Sequence, residues 1–302
     1  MAEPTGVRFG VLAAQSVLDQ AAEIESLSFD SIWVSEHILF HGPTLEALTT
    51  LAAVAGRTSR ISLGTAVYLM PLRHPTITAK TAGTLDIISG GRLILGIGVG
   101  GEYKPEFDAT GVPVKQRGAR TDEAIDICRR LWTEEHVDYE GRHFSLGDVS
   151  MKPRPASPPP IWIAGRSKAA MRRAAIHGDG YLPYLVDPAR YRQGLSEVHA
   201  EAEKAGRDPA QITPALYQFI YLSDSYEEAR RVAVEDLSRR YNQSFEGIAE
   251  RYSVLGNADQ CVERLQEFID AGVRHFVLTP LDRGNALEQY RAYANDLLPR
   301  LR

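Results

Sequence analysis

The chain has 302 residues, 44% of them hydrophobic, and a formal charge of −5 at pH 7. That size suits one α/β barrel or two smaller domains, and a mildly acidic chain without a Lys/Arg cluster lacks the basic patch a nucleic-acid surface needs. No apolar run approaches the roughly 18–20 residues of a membrane span, Met1–Gly6 lacks the basic and apolar regions of a secretory signal, and two cysteines in helical surroundings indicate a reduced, cytoplasmic protein.

In chain order, Val7–Ala13 reads as a strand, and Ser16 caps a helix to Leu27 with Val17, Ala21, Ile24 and Leu27 on one face. Ser31–Ser35 is the second strand, followed at once by Glu36 and His37, and Thr44–Ala55 is the second helix. The apolar run Ile61–Val67, a helix from Thr76 to Ile88 and the run Leu93–Gly101 form a β-α-β unit. Both runs lack alternation, as strands buried on two faces do. Gly101–Arg117 reads as a long loop and Arg120–Trp132 as a helix, with Cys128 on its apolar stripe. Val137–Phe144 predicts a small hairpin turning at Glu140-Gly141, and Met151–Pro160, with five prolines, can be neither helix nor central strand. The alternation resumes with strand Ile161–Ala164, helix Lys168–Ile176, short strand Tyr181–Leu182, helix Pro188–Ala205, strand Thr213–Leu222 and helix Tyr226–Leu237. Tyr241–Leu255 reads as an irregular or helical excursion. A helix to Ala271, strand His275–Leu278 and a helix from Asn285 to Leu297 close the chain.

Eight strands alternating with helices through right-handed crossovers close most economically as a (β/α)8 TIM barrel. The reading is one domain over residues 1–302, with insertions near 101–117, 136–160 and 238–258. A doubly wound open sheet is the competing architecture. It is disfavoured because no dinucleotide fingerprint opens the first βα unit, and Gly96-Ile-Gly-Val-Gly100 follows a later strand without a prompt helix.

In a barrel the C-terminal strand ends carry the chemistry. His37 follows the second strand directly, where an imidazole can exchange a proton with a substrate oxygen near neutral pH, or merely bond a neighbouring loop. Glu36 could orient it, although adjacent residues on a strand face opposite ways. Gly165-Arg166-Ser167 joins the fifth strand to its helix; N–H groups at a helix start with a guanidinium and a hydroxyl suit a phosphate, and the alternative is an ordinary turn capped by Ser167. Gly98, Gly100 and Gly101 would let a flat ring approach the backbone. The eight histidines are scattered without paired ligand spacing, so no metal is implied, and no Gly-x-Ser-x-Gly motif suggests a hydrolase.

Trp33-Val-Ser-Glu-His37, Gly64-Thr-Ala-Val67 with Leu72-Arg-His-Pro75, Ser89-Gly-Gly-Arg92, Leu95–Gly100, Pro159–Gly165 and Gly178-Asp-Gly-Tyr181 occur in an order and spacing that resemble the luciferase-like monooxygenase superfamily. The pattern is most similar to its coenzyme F420-dependent (deazaflavin) branch, common in actinobacteria. The resemblance implies a TIM barrel with a tricyclic ring lying over a third-strand bulge, whose non-proline cis peptide would fall at Ala66-Val67. It implies cofactor contacts from Ala66, Val67, Gly98, Gly100, Gly165, Arg166 and Ser167. Val99 stands where relatives have a threonine. Glu102 lies near a glutamate that sugar-phosphate dehydrogenase relatives use in catalysis, but only across the doubled Gly100-Gly101. The expected function is hydride transfer between coenzyme F420 and a small organic substrate, with His37 as proton donor or acceptor; the resemblance leaves the oligomer open, relatives often being homodimers. The alternatives are an FMN-dependent monooxygenase using reduced flavin and oxygen, and a non-catalytic flavin or deazaflavin carrier.

Overall fold

The structure, a computed structural model, describes residues 6–13 and 16–302; Met1–Thr5, where the sequence shows no secretory pattern, lie outside the described residues. Eight parallel strands pair in chain order: β1 (Arg8–Leu12), β2 (Ser31–Val34), β3 (Ser62–Thr65), β4 (Leu93–Gly98), β5 (Ile161–Ala164), β6 (Gly180–Leu182), β7 (Thr213–Leu222) and β8 (His275–Pro280). The sheet closes on itself: β8 pairs with β1 through Phe9↔Phe276, and β7 pairs with β6 through Thr213↔Gly180. It is the expected closed barrel, not an open sheet.

The helices cover the outside with narrow apolar stripes. α1 (Val17–Ser26) buries Val17, Ala21 and Ile24, and α2 (Ala47–Ala55) follows. α3 (Pro75–Ser89) opens with proline in its first turn, where the missing N–H is no loss. It ends at Gly90, whose φ of 72° suits a left-handed cap. Between them these helices seal the outer faces of β1–β4, and the apolar residues of strands and helices form one continuous core.

Inside the barrel a second, smaller cluster forms the floor. Trp33 and Trp162 lie with ring centroids 5.2 Å apart, and His275 stands edge-on to both at 5.9 and 5.0 Å. The indole N–H of Trp33 donates to Ser31 Oγ at 2.7 Å, and the same hydroxyl is hydrogen-bonded to His275 Nε2, also at 2.7 Å. His275 is buried in this cluster. Burial pushes its pKa down to about 3.

Several stretches differ from the sequence reading. The loop expected over Gly101–Arg117 contains a helix, α4 (Lys104–Ala109), before α5 (Arg117–Thr133). Pro105, inside the expected loop, sits in the helix's first turn and starts it. The hairpin's strands are Val137–Glu140 and Ser145–Val149, so the turn falls later than Glu140-Gly141; Gly141 N–H donates to Phe144 O and closes it. α6 (Lys168–His177) and α7 (Pro188–Lys204) match, but α8 (Tyr226–Tyr241) runs past Leu237. Within the excursion, α9 (Ala249–Tyr252) leads into a strand, Ser253–Gly256, which pairs with the upper half of β7 through Phe219↔Ser253 and Leu222↔Gly256. That strand takes the edge of β7 that the short β6 cannot reach. α10 (Ala258–Asp270) opens with a capping box of Asn257 and Gln260. The last helix is not continuous: α11 (Ala286–Ala292) passes through one π turn, Tyr293–Leu297, into α12 (Leu298–Leu301).

Candidate active site

β2, β3, β4 and β5 are neighbours in the sheet, and their C-terminal ends form one arc of the barrel mouth. His37, Ala66-Val67, Gly98 with Gly100, and Gly165–Ser167 follow those four strands in that order. The structure thus gathers every residue the sequence singled out at one end of the barrel.

Beyond β2 the side chains of Glu36 and His37 diverge. Glu36 is buried, and its Oε1 accepts from Arg73 Nη1 at 2.6 Å and from the Leu69 N–H at 3.2 Å. Burial pushes this carboxyl up to about 7, while Arg73 and the Leu69 N–H hold the ionised form against it. Glu36 therefore braces the chain after the third strand and does not orient His37. That second role falls to Glu106, on α4, which the sequence reading missed. Its carboxylate is 2% exposed and lies 3.2 Å from His37 Nδ1 through Oε2. Its Oε1 accepts the N–H groups of Ile38 and Leu39 at 2.5 and 3.2 Å. The imidazole also stacks on Phe40, with centroids 3.9 Å apart and planes 10° from parallel, and keeps 24% of its side chain exposed. A signal for Glu106 existed: Pro105-Glu106-Phe107 is a helix start with an acidic first turn and an apolar anchor, and Phe107 is fully buried. Glu102, by contrast, is exposed, and the ring it lies near is that of Tyr184.

β3 stops at Thr65, the Ala66-Val67 peptide bond is cis as the resemblance implied, and pairing with β4 resumes at Tyr68↔Ile97 and Leu69↔Gly98. The chain thus bulges between Thr65 and Tyr68. Gly98 is required opposite that bulge, because a Cβ there would come within 2.5 Å of Val67 Cγ2. Val67, Ala66 and Ala164 pack around the floor cluster together with the Tyr217 ring, so bulge and floor are continuous.

After β5, Gly165 has φ 118°, a left-handed conformation that favours glycine. Ser167 Oγ accepts the Ala170 N–H at 3.2 Å and caps α6. Among the described residues no acceptor takes the N–H groups of Ser167, Lys168 or Ala169, so the helix start is open to an anion. Arg166 has a double role: one Nη donates to Leu185 O at 2.5 Å, and its guanidinium lies 5.5 Å from the Tyr184 ring centroid. Beside the turn, Arg166, Arg190 and Arg251 line a cavity of ≈ 330 Å³ with Asp187 as the only carboxylate in its wall.

Three groups are thus in place: a backbone bulge faced by glycine, an open helix start beside three arginines, and an imidazole backed by a carboxylate. They fit a flat, phosphate-bearing redox cofactor with an acid–base group at its side. Among the described residues no cluster of His, Cys, Asp and Glu could hold a metal ion.

The relatives agree with this class. Residues 4–275 match the family model of the luciferase-like monooxygenases, and the chain belongs to that family. F420-dependent glucose-6-phosphate dehydrogenase of Intrasporangium calvum is 31% identical, over 95% of this chain and 95% of its own. Among solved structures, an F420-dependent secondary alcohol dehydrogenase in complex with an F420-acetone adduct superposes with a TM-score of 0.88 at 21% identity, over 99% of this chain and 100% of its own. Monooxygenase RslO1 from Streptomyces bottropensis reaches 0.83 at 26% identity, over 97% and 99%.

Proposed function

We propose that this protein is an oxidoreductase that passes a hydride between coenzyme F420 and a small organic substrate. The observation that carries the reading is the imidazole–carboxylate pair beside the third-strand bulge, in a chain related end to end to an F420-dependent dehydrogenase. When bound, the deazaflavin supplies the two-electron chemistry. Ala66, Val67, Gly98 and Gly100 would hold the ring, and the open start of α6 with Gly165, Arg166 and Ser167 would hold the phosphate. In the cavity next to that turn Arg251 is paired with Asp187, and Arg166 and Arg190 are the cations that support an anion there. His37 moves the substrate's proton. With Nδ1 against Glu106, its other ring nitrogen is the one left for substrate. The first substrates to try are glucose 6-phosphate and a secondary alcohol, the substrates named for the relatives.

The test is an equilibrium titration of purified protein with oxidised F420 and, separately, with FMN. Tight binding of F420 and weak binding of FMN is the expected result. The reverse preference would replace this reading with a flavin-dependent monooxygenase.

The reading takes residues 1–302 as one domain without a nucleic-acid partner, which the net charge of −5 supports. No described helix is long and apolar enough to cross a membrane, and both cysteines are buried and unpaired, which supports a cytoplasmic location. A homodimer is part of the same reading. On α3, Ile77 and Ile88 are 61% and 58% exposed, and a spacing of eleven residues puts them on one face. Ile88→Asp should shift the sedimentation coefficient from dimer to monomer; a wild-type monomer would end that part of the proposal.

A further inference from the structure

We propose that Glu106 is a positioning residue that fixes the tautomer of His37, holding the hydrogen on Nδ1 and leaving Nε2 as the proton acceptor at the barrel mouth. The proposal rests on the functional reading above for its consequence, but not for its geometry. Glu106 is almost fully buried, and no Lys or Arg pairs with it among the described residues. Its three neighbours are all nitrogens. Two of them, the N–H groups of Ile38 and Leu39, can only donate, and both converge on Oε1. The third, His37 Nδ1, faces Oε2 at 3.2 Å. A carboxylate that only accepts requires a hydrogen on Nδ1, so a neutral His37 has its lone pair on Nε2. Phe40 stacks on the ring face. The arrangement prepares His37 to receive a proton, as oxidation of a hydroxyl-bearing substrate requires. The proton leaves the substrate oxygen for Nε2 as the hydride leaves its carbon for the deazaflavin. The reverse direction returns both.

The same carboxylate holds the loop over residues 38–39, so a plain loss of activity on removing it would not separate the roles. Glu106→Gln does. Its amide oxygen can still accept from Ile38 and Leu39, while its NH2 faces Nδ1 and favours a hydrogen on Nε2. Turnover should fall roughly 10²-fold or more, as a wrong tautomer does in acid–base pairs of this kind, with KM and F420 affinity within about twofold. Nitrogen-15 NMR of His37, assigned by its loss in His37→Ala, reads the tautomer with no cofactor present. Wild type should show an unprotonated Nε2 at high pH, and Glu106→Gln a protonated one. A wild-type His37 with its hydrogen on Nε2, or a folded Glu106→Gln that turns over like wild type, would overturn the proposal. If Glu106→Gln does not fold, the wild-type spectrum alone decides. A protein that ignores F420 but shows the expected tautomer would refute the functional reading and leave the positioning role standing.

Discussion

Two histidines of the barrel each hydrogen-bond a polar side chain, His275 at the start of β8 on the floor and His37 beyond β2 at the mouth, and their surroundings are opposite. At the floor, His275 is sealed by Trp33 and Trp162, its one side-chain partner is a neutral hydroxyl, and burial drives it to the neutral form. At the mouth, His37 keeps a quarter of its surface in solvent and has a buried carboxylate behind it. Both rings are hydrogen-bonded and both pack against aromatic neighbours, His37 face to face and His275 edge-on. If His37 is the proton-transfer group proposed above, what separates it from the structural His275 is the charge of the partner and an open edge.

Three substitutions or conditions can break or sharpen that contrast. The largest effect belongs to the mouth. His37→Ala should lower turnover by about 10²–10⁴-fold, the range of general acid–base catalysis. Affinity for F420, measured by fluorescence titration, should stay within about tenfold, because the phosphate turn at Gly165–Ser167 lies across the mouth on β5. Normal turnover would make His37 one more structural histidine.

The floor should show itself in stability instead. His275 has a folded pKa of about 3, below the roughly 6.5 of an unfolded histidine. The unfolded chain therefore takes up a proton first as pH falls. The stabilisation is complete above about pH 6.5 and is lost as pH drops from there toward 3, at up to about 1.4 kcal/mol per pH unit. Denaturant melts between pH 7.5 and 4.5 should show this slope, and a folded His275→Gln should flatten it without changing turnover. An unchanged slope would mean that other groups dominate acid unfolding.

The smallest effect is expected at the turn. Arg166→Ala should weaken F420 binding by about 1.5–3 kcal/mol, the worth of a charge-assisted hydrogen bond. The lower end is expected, because one arm of Arg166 already serves Leu185 O. Turnover at saturating cofactor should change little, since a remote phosphate contact is equal in ground and transition states. Unchanged affinity would reduce Gly165-Arg166-Ser167 to a turn.

The barrel was legible because each strand is a short apolar run and each helix a 3.6-residue stripe, patterns set by burial on two faces and on one. The strand ends then placed His37 and the turn at Gly165 at one mouth by topology, and the bulge at Ala66-Val67 followed from the family resemblance. What was not legible depended on long-range pairing. Ser253–Gly256 is too short to stand out, and it is a strand only because the upper half of β7 outruns β6 and offers an edge. Glu106 was hidden by Pro105, which stops a helix in its interior but starts one in its first turn. Its partnership with His37, across 69 residues of chain, has no local signature. Glu36, which stands next to His37 in sequence, turns away from it toward Arg73 and the Leu69 N–H, a divergence set by the chain after β2.

The central claim is that this mouth carries out deazaflavin-linked hydride transfer. The direct measurement is the visible absorbance of oxidised F420 mixed anaerobically with the protein and either glucose 6-phosphate or a small secondary alcohol. The account predicts that the band bleaches with a suitable hydroxyl-bearing substrate, and far more slowly in His37→Ala. An F420 spectrum unchanged by every such substrate, together with oxygen consumption when reduced FMN is supplied instead, would contradict it.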